Sequence, residues 1–123
     1  MDGLYNYKVD KVISVYDGDT MTVDIDLGFG MIMKKRALRF YGINTPELRG
    51  GTEETKQAGR DARDLVRELV EEADQVYIKS YYDKSGKYGR ILASVILVDA
   101  EGHDVNLNEL LVAKGHAVEY MKK

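Results

Sequence analysis

Four short pieces of this chain place ionisable or oxygen-bearing side chains where a strand pattern would not put them by default. They are Asp17-Gly18-Asp19-Thr20, Arg39 within Leu38-Arg39-Phe40-Tyr41-Gly42-Ile43, Asn44-Thr45-Pro46-Glu47, and Lys87-Tyr88-Gly89-Arg90. A guanidinium inside an apolar run is costly unless it meets an anion or opens to water, so Arg39 needs a partner. Asp19 follows a glycine turn at a strand start, the segment from Asn44 to Glu47 lies at a strand end, and Arg90 begins a strand. Taken singly, each has a plain structural explanation: a turn former, a strand cap, a surface acid, one half of an ion pair. The chain has no cysteine, which excludes disulfides, thiolate zinc sites and cysteine nucleophiles. Any metal must therefore be held by oxygen or by the two histidines. His103 lies in the turn region Asp99-Ala100-Glu101-Gly102 and His116 follows a helix-ending glycine, so both read as incidental, and no serine, histidine and acid arrangement competes.

The elements that must position these groups can be read from periodicity. From Tyr5 to Leu27 the sequence alternates with period two, most cleanly in Thr22-Val23-Asp24-Ile25-Asp26-Leu27, where Asp24 and Asp26 look like a solvent face. Asp17-Gly18-Asp19 interrupts the alternation. Gly18 offers the positive-φ freedom of a tight turn, so two antiparallel strands joined near residues 16–19 are expected. A second turn at Gly28-Phe29-Gly30 leads into a third strand, about Met31 to Ile43. Pro46, the only proline, lacks a backbone donor and should stop the ladder. After Gly50 and Gly51, Ala58, Ala62, Leu65, Val66, Leu69 and Val70 recur at helical spacing, with Thr52 as the N-terminal cap and Glu53 and Glu54 in the first turn. Two more strands follow, about Gln75 to Tyr82 and Arg90 to Val98, the second apolar on both faces. Asn106 with Glu109 has the spacing of a capping box and opens a short helix that Gly115 should close.

This order predicts a β-rich α+β fold: an OB-fold, a five-stranded Greek-key barrel with a helix inserted after strand three and a short C-terminal helix. At 123 residues the chain is one domain's worth, expected to form a single domain over 1–123. With 44% hydrophobic and 32% charged residues its composition is globular, and no apolar run approaches membrane-spanning length. The N-terminus has neither a basic nor an apolar leader region, so no signal peptide is read in this chain, which slightly favours an intracellular location unless a leader has been removed. The net charge of −3 argues mildly against indiscriminate nucleic-acid binding, but it is unevenly spread. Residues 34–67 carry nine basic side chains against five acidic ones, +4 against −7 elsewhere.

From Val12 to Tyr120 the chain resembles the staphylococcal-nuclease-like (thermonuclease) family. The resemblance rests on Asp17-Gly18-Asp19-Thr20, on Arg39 five residues before Asn44-Thr45-Pro46-Glu47, on Lys87-Tyr88-Gly89-Arg90, and on Asn108-Glu109 with Leu111, Val112 and Gly115. It implies a calcium-dependent phosphodiesterase on an OB-fold, acting on DNA and RNA with little sequence preference and leaving 3′-phosphate and 5′-hydroxyl ends. Single-stranded or frayed substrates, a monomer, and no membrane or obligate protein partner are expected with it. Carried over residue by residue, Asp19 and Asn44 would be side-chain ligands of Ca²⁺ and the Thr45 carbonyl a third. Glu47 would position or deprotonate the attacking water. Arg39 and Arg90 would bind the scissile phosphate, and Lys87, Tyr88 and Tyr120 would contact the neighbouring phosphate and base.

The chemistry is consistent with those roles. Calcium takes oxygen from carboxylates, amides and carbonyls, and Arg forks with a divalent ion stabilise the charge a phosphodiester gains under attack. One departure stands out: the family pattern has Asp where this chain has Asn44, which removes a formal charge from the ligand set. The alternative reading is accordingly a non-catalytic OB-fold nucleic-acid-binding module with a degenerate metal site.

Overall fold

The computed structural model describes residues 5–81 and 90–120. Three antiparallel strands come first: β1 (Tyr5–Asp17), β2 (Thr20–Gly28) and β3 (Met31–Phe40). β4 (Ile43–Asn44) precedes the helix α1 (Glu53–Glu72), which is followed by β5 (Gln75–Tyr81), β6 (Ile91–Val98) and β7 (Asp104–Asn106). The chain finishes with α2 (Leu107–Ala113) and β8 (Val118–Glu119).

The sheet order is β3-β2-β1-β5-β6-β7, and β6 returns to pair in parallel with β3 through Leu38 opposite Ile91, Arg39 opposite Leu92 and Phe40 opposite Ala93. That last pairing closes five strands into a barrel, the OB-fold expected, with β7 appended to β6. Inside it Met21, Val23, Leu38, Phe40 and Val95 are fully buried, capped by Val66 of α1 and by Leu107 and Leu111 of α2. No helix among the described residues is long and apolar enough to cross a membrane.

α1 forms where its period predicted. The Thr52 hydroxyl accepts from the Thr55 amide (3.2 Å) while the Thr55 hydroxyl accepts from the Thr52 amide (3.0 Å), a reciprocal cap with Glu53 and Glu54 in the first turn. It buries Gly59, Ala62, Val66 and Val70 against the barrel. In α2 the Asn106 side chain accepts from the Glu109 amide at 3.1 Å, as its spacing suggested.

Four expectations change. The third strand does not run to Ile43: it ends at Phe40, Tyr41 and Gly42 form a turn with Gly42 at φ 77°, and Ile43–Asn44 become β4, paired with β8. The later strand starts at Ile91, with Arg90 just before it. Gly18 does not adopt a positive φ; it is needed for space, because a Cβ there would lie 2.7 Å from Thr45 Cγ2 and 2.9 Å from Ala62 Cβ. Asp24 is not on a solvent face but buried, because the β2–β3 register shifts between Val23 and Ile25 and a bulge breaks the alternation. Its carboxylate accepts from the Lys35 amide at 2.8 Å and lies 3.6 Å from Lys34 Nζ.

Candidate active site

The β1–β2 turn delivers Asp19. Its amide donates to Asp17 Oδ1 (3.1 Å) and its carbonyl accepts from the Phe40 amide (2.9 Å), so the turn is tied to itself and to the end of β3. Asp19 Oδ1 accepts from the Thr20 hydroxyl (3.2 Å), and Oδ2 accepts from the Thr45 amide (3.0 Å). Across the ladder Thr20 faces Arg39, which brings the guanidinium to the same carboxylate: Arg39 Nη1 is 3.5 Å from Asp19 Oδ2. Nη1 also donates to the Phe40 carbonyl (2.9 Å), and Nη2 donates to Asn44 Oδ1. The anion that an arginine in an apolar strand requires is thus supplied, and the fork is held in one orientation with its side chain 14% exposed.

Asp19, Arg39, Asn44 and Thr45 therefore converge on one cluster although the Thr45 amide and its Asp19 acceptor are 26 positions apart. α1 is the platform beneath it. Gly18 of the turn rests on Thr45 and on Ala62, and Gly59 rests on the loop beyond Asn44, where a Cβ would lie 2.8 Å from the Pro46 carbonyl oxygen and 2.9 Å from that of Glu47. Glu47 is thereby fixed by its backbone while its side chain stays exposed.

Arg90 is half-buried one residue ahead of Ile91, which faces Leu38. Alternation puts Arg90 and Leu92 on one side of β6, and Leu92 is the partner of Arg39, so the two arginines share a face of adjacent strands. Tyr120 is exposed and held by its amide, which donates to the Gly42 carbonyl at 2.8 Å, beside the turn that follows Arg39 and outside the Asp19 cluster. Lys87 and Tyr88 lie outside the described residues.

The donor set suits a hard cation. Asp19 and Asn44 offer a carboxylate and an amide oxygen, and Asp17 adds a second carboxyl, pushed up to about 6 by burial and then by its hydrogen bond to, and the charge of, Asp19. A carboxyl pushed upward by a neighbouring carboxylate marks a site short of positive charge. The Thr45 hydroxyl is a further oxygen here, buried with no hydrogen-bond partner among the described residues.

Two residues matter that periodicity did not single out. Asn108 is buried in α2 and donates to the Tyr41 (2.9 Å) and Ala93 (3.1 Å) carbonyls while accepting from the Val95 amide (3.0 Å). It fastens the turn after Arg39 to the strand after Arg90. The sequence signal is an amide between Leu107 and Leu111 on the buried side of a helix. The second is Gly59, whose signal is a glycine inside a run of helix formers, a cost that calls for a packing reason.

Two other features belong elsewhere. Asp99, Glu101 and His103 form an exposed acidic cluster at the β6–β7 turn, at the opposite end of β6 from Arg90. Hydrogen bonds from the His103 and Glu101 amides (both 2.9 Å) make Asp99 a turn former, and the His103 bond is the chief reason its carboxyl titrates below the ordinary range. A groove of about 1060 Å³ lies beyond the Tyr41 turn, with Tyr41 stacked on Tyr81 (centroids 4.1 Å apart). Among the described residues its lining carries Asp104, Glu109 and Glu119 against Lys79, and none of Asp19, Arg39, Asn44 or Arg90 lines it.

Residues 37–123 match the family model of the staphylococcal nuclease homologues, a span that holds Arg39, Asn44, Thr45, Glu47 and Arg90. The chain belongs to this family. It is 34% identical over 114 residues to the thermonuclease of Staphylococcus hyicus, an alignment covering 91% of this chain and 59% of that protein. It is 27% identical over 124 aligned positions to the endonuclease YhcR of Bacillus subtilis, covering 97% of this chain and 9% of that much longer protein. The chain thus spans less than two thirds of the thermonuclease and under a tenth of the endonuclease. Within this family of nuclease homologues, Asp17 and Asp19 precede the matched span, and the structure returns Asp19 to it through Thr45 and Arg39.

Proposed function

We propose that this chain is a calcium-dependent nuclease that hydrolyses phosphodiester bonds of DNA and RNA with little sequence specificity, leaving 3′-phosphate and 5′-hydroxyl ends. The observation that carries the reading is the convergence of Asp19, Arg39, Asn44 and Thr45 in a chain whose relatives are named thermonuclease and endonuclease.

Asp19, Asn44 and the Thr45 carbonyl would hold Ca²⁺, with Asp17 beside them. The ion would supply Lewis-acid polarisation of a phosphate oxygen. Glu47, whose side chain is exposed, orients a water and takes its proton as the water oxygen bonds to phosphorus. The bond from phosphorus to the 5′ oxygen breaks, and that oxygen takes a proton from solvent. Arg39 and Arg90 meet the equatorial oxygens, where negative charge builds. An arginine fork fixed before substrate arrives needs no reorganisation in the transition state, which is where such groups contribute most. Lys87, Tyr88 and Tyr120 contact the neighbouring phosphate and base.

One observation favours the second reading, a nucleic-acid-binding module that does not cut. Asn44 is uncharged, and its amide oxygen already serves Arg39. The two readings part at Glu47. In the nuclease, Glu47→Ala lowers turnover by at least roughly 100-fold and leaves oligonucleotide affinity within a few-fold. In a binding module the wild type has no turnover to lose. Labelling the product ends tests the polarity: new 5′-hydroxyls support the reading and new 5′-phosphates refute it.

A further inference from the structure

The β2–β3 hairpin ends in a feature that the Arg39 cluster does not use. Gly28 pairs with Met31, so Phe29 and Gly30 form a two-residue loop, with φ of 56° and 75°. Two positive φ values define a turn whose first position favours asparagine or aspartate, since a side chain with a branched ring is strained there. Phenylalanine stands at that position, 102% exposed, beside Met31 at 59%. Strain is thus accepted where the ring packs on nothing among the described residues.

The tip is a built arm. Asp26 Oδ1 accepts from the Gly28 amide at 2.8 Å. Buried Asp24 accepts from the Lys35 amide at a bulge where Lys35 itself takes φ 54°. The bulge leaves Lys35 exposed behind the aromatic tip, with Lys34 beside it, 3.6 Å from Asp24 Oδ2 yet 70% exposed. An aromatic face ahead of two lysines suits a polyanion carrying flat rings, because bases stack on the face and phosphates meet the ammonium groups. β3 continues from this tip, through the bulge, to Arg39. Eight residue steps at about 3.4 Å give at most roughly 27 Å, the length of up to about eight stacked nucleotides at 3.4 Å each.

We propose that the β2–β3 hairpin tip is a second contact for single-stranded nucleic acid, with Phe29 stacking on a base and Lys34 and Lys35 meeting its phosphates, while the strand runs along β3 to Arg39. The inference rests on the nuclease reading for its choice of ligand. An anionic membrane is the competing occupant, but one aromatic and one methionine side chain present little apolar surface for stable insertion.

The test measures binding of labelled thymidine 4-mers and 16-mers in EDTA, so that nothing is cut. Phe29→Asn suits the turn better and preserves folding. It should weaken 16-mer binding about tenfold and leave the 4-mer unchanged, whereas Phe29→Trp should retain wild-type affinity. Lys35→Asn, which suits the positive φ and leaves the Lys34–Asp24 pair intact, should flatten the salt dependence for the 16-mer alone. Unchanged 16-mer affinity in Phe29→Asn, an equal loss on both lengths, or a wild type that binds 16-mer no tighter than 4-mer overturns the proposal. So does sedimentation with phosphatidylserine vesicles that needs Phe29 while 16-mer binding does not. Cleavage separates the two readings. A Phe29 effect confined to the 16-mer in a protein that cuts nothing keeps the tip and loses the nuclease, and normal cleavage with no Phe29 effect does the reverse.

Discussion

Among single residues, the chemistry of the site turns on charge near Asp19. One guanidinium serves both the Asp19 carboxylate and the Asn44 amide, while Asp17 sits alongside with its carboxyl pushed up to about 6. An acid whose folded-state value is raised above 3.8 binds more protons folded than unfolded between those two values. Folding stability therefore falls as pH rises from about 4 to about 6, and the deficit persists at neutral pH. Asp17→Asn should remove that fall and raise the neutral-pH melting temperature by a few degrees, the amide oxygen still accepting from the Asp19 amide. Thermal melts of both proteins between pH 4 and 7 check this; parallel curves would refute it. Asn44→Asp changes the charge count in the opposite way. It gives the proposed metal site another anionic ligand, so the midpoint Ca²⁺ concentration for stabilisation should fall and the calcium-induced rise in melting temperature should grow. Calorimetric titration of the two proteins decides it, and an unchanged affinity would mean that residue 44 does not face the metal.

At the scale of elements, α1 acts as the floor of the site. Glycine to alanine inside an exposed helix normally stabilises, by up to about 1 kcal/mol. At Gly59 the sign should reverse, because the new methyl meets the Pro46 and Glu47 carbonyl oxygens at 2.8 and 2.9 Å. Backbone cannot swing aside as a side chain can, so Gly59→Ala should cost about 1–3 kcal/mol and reduce turnover by displacing Glu47. Urea melts and initial rates measure both effects, and a variant more stable than wild type would show that the loop does not rest on the helix. α1 was legible because its apolar period extends over several turns and Thr52 marks its start. β4 and β8 were not, because a two-residue pairing has no period to read. Asp24 misled for a related reason: alternation assigns faces only until a bulge inserts an extra residue, and nothing in Asp24 or Lys35 alone announces one.

At the scale of the whole molecule, barrel closure makes a site from pieces that are distant in the chain. The parallel β3–β6 pairing sets Arg39 opposite Leu92, with Arg90 two residues earlier, and Asn108 locks that seam with three hydrogen bonds. Strand periods predicted the strands of this barrel but not which edges meet. The cluster was therefore legible through its resemblance to a family and not through spacing. Arg39 is the partial exception, since burial of its charge demanded an anion before any partner was known. That arginine touches Asp19, Asn44 and the end of β3 at once, so its loss is the most telling. The decisive measurement is digestion of single-stranded DNA by the wild type with Ca²⁺, by the wild type with EDTA, and by Arg39→Ala and Arg39→Lys with Ca²⁺. Cleavage should need Ca²⁺, fall by at least roughly 100-fold in Arg39→Ala, and be incompletely rescued by lysine, whose point charge cannot supply the fork. Full cleavage in EDTA, or a near-normal rate in Arg39→Ala, would contradict the nuclease reading.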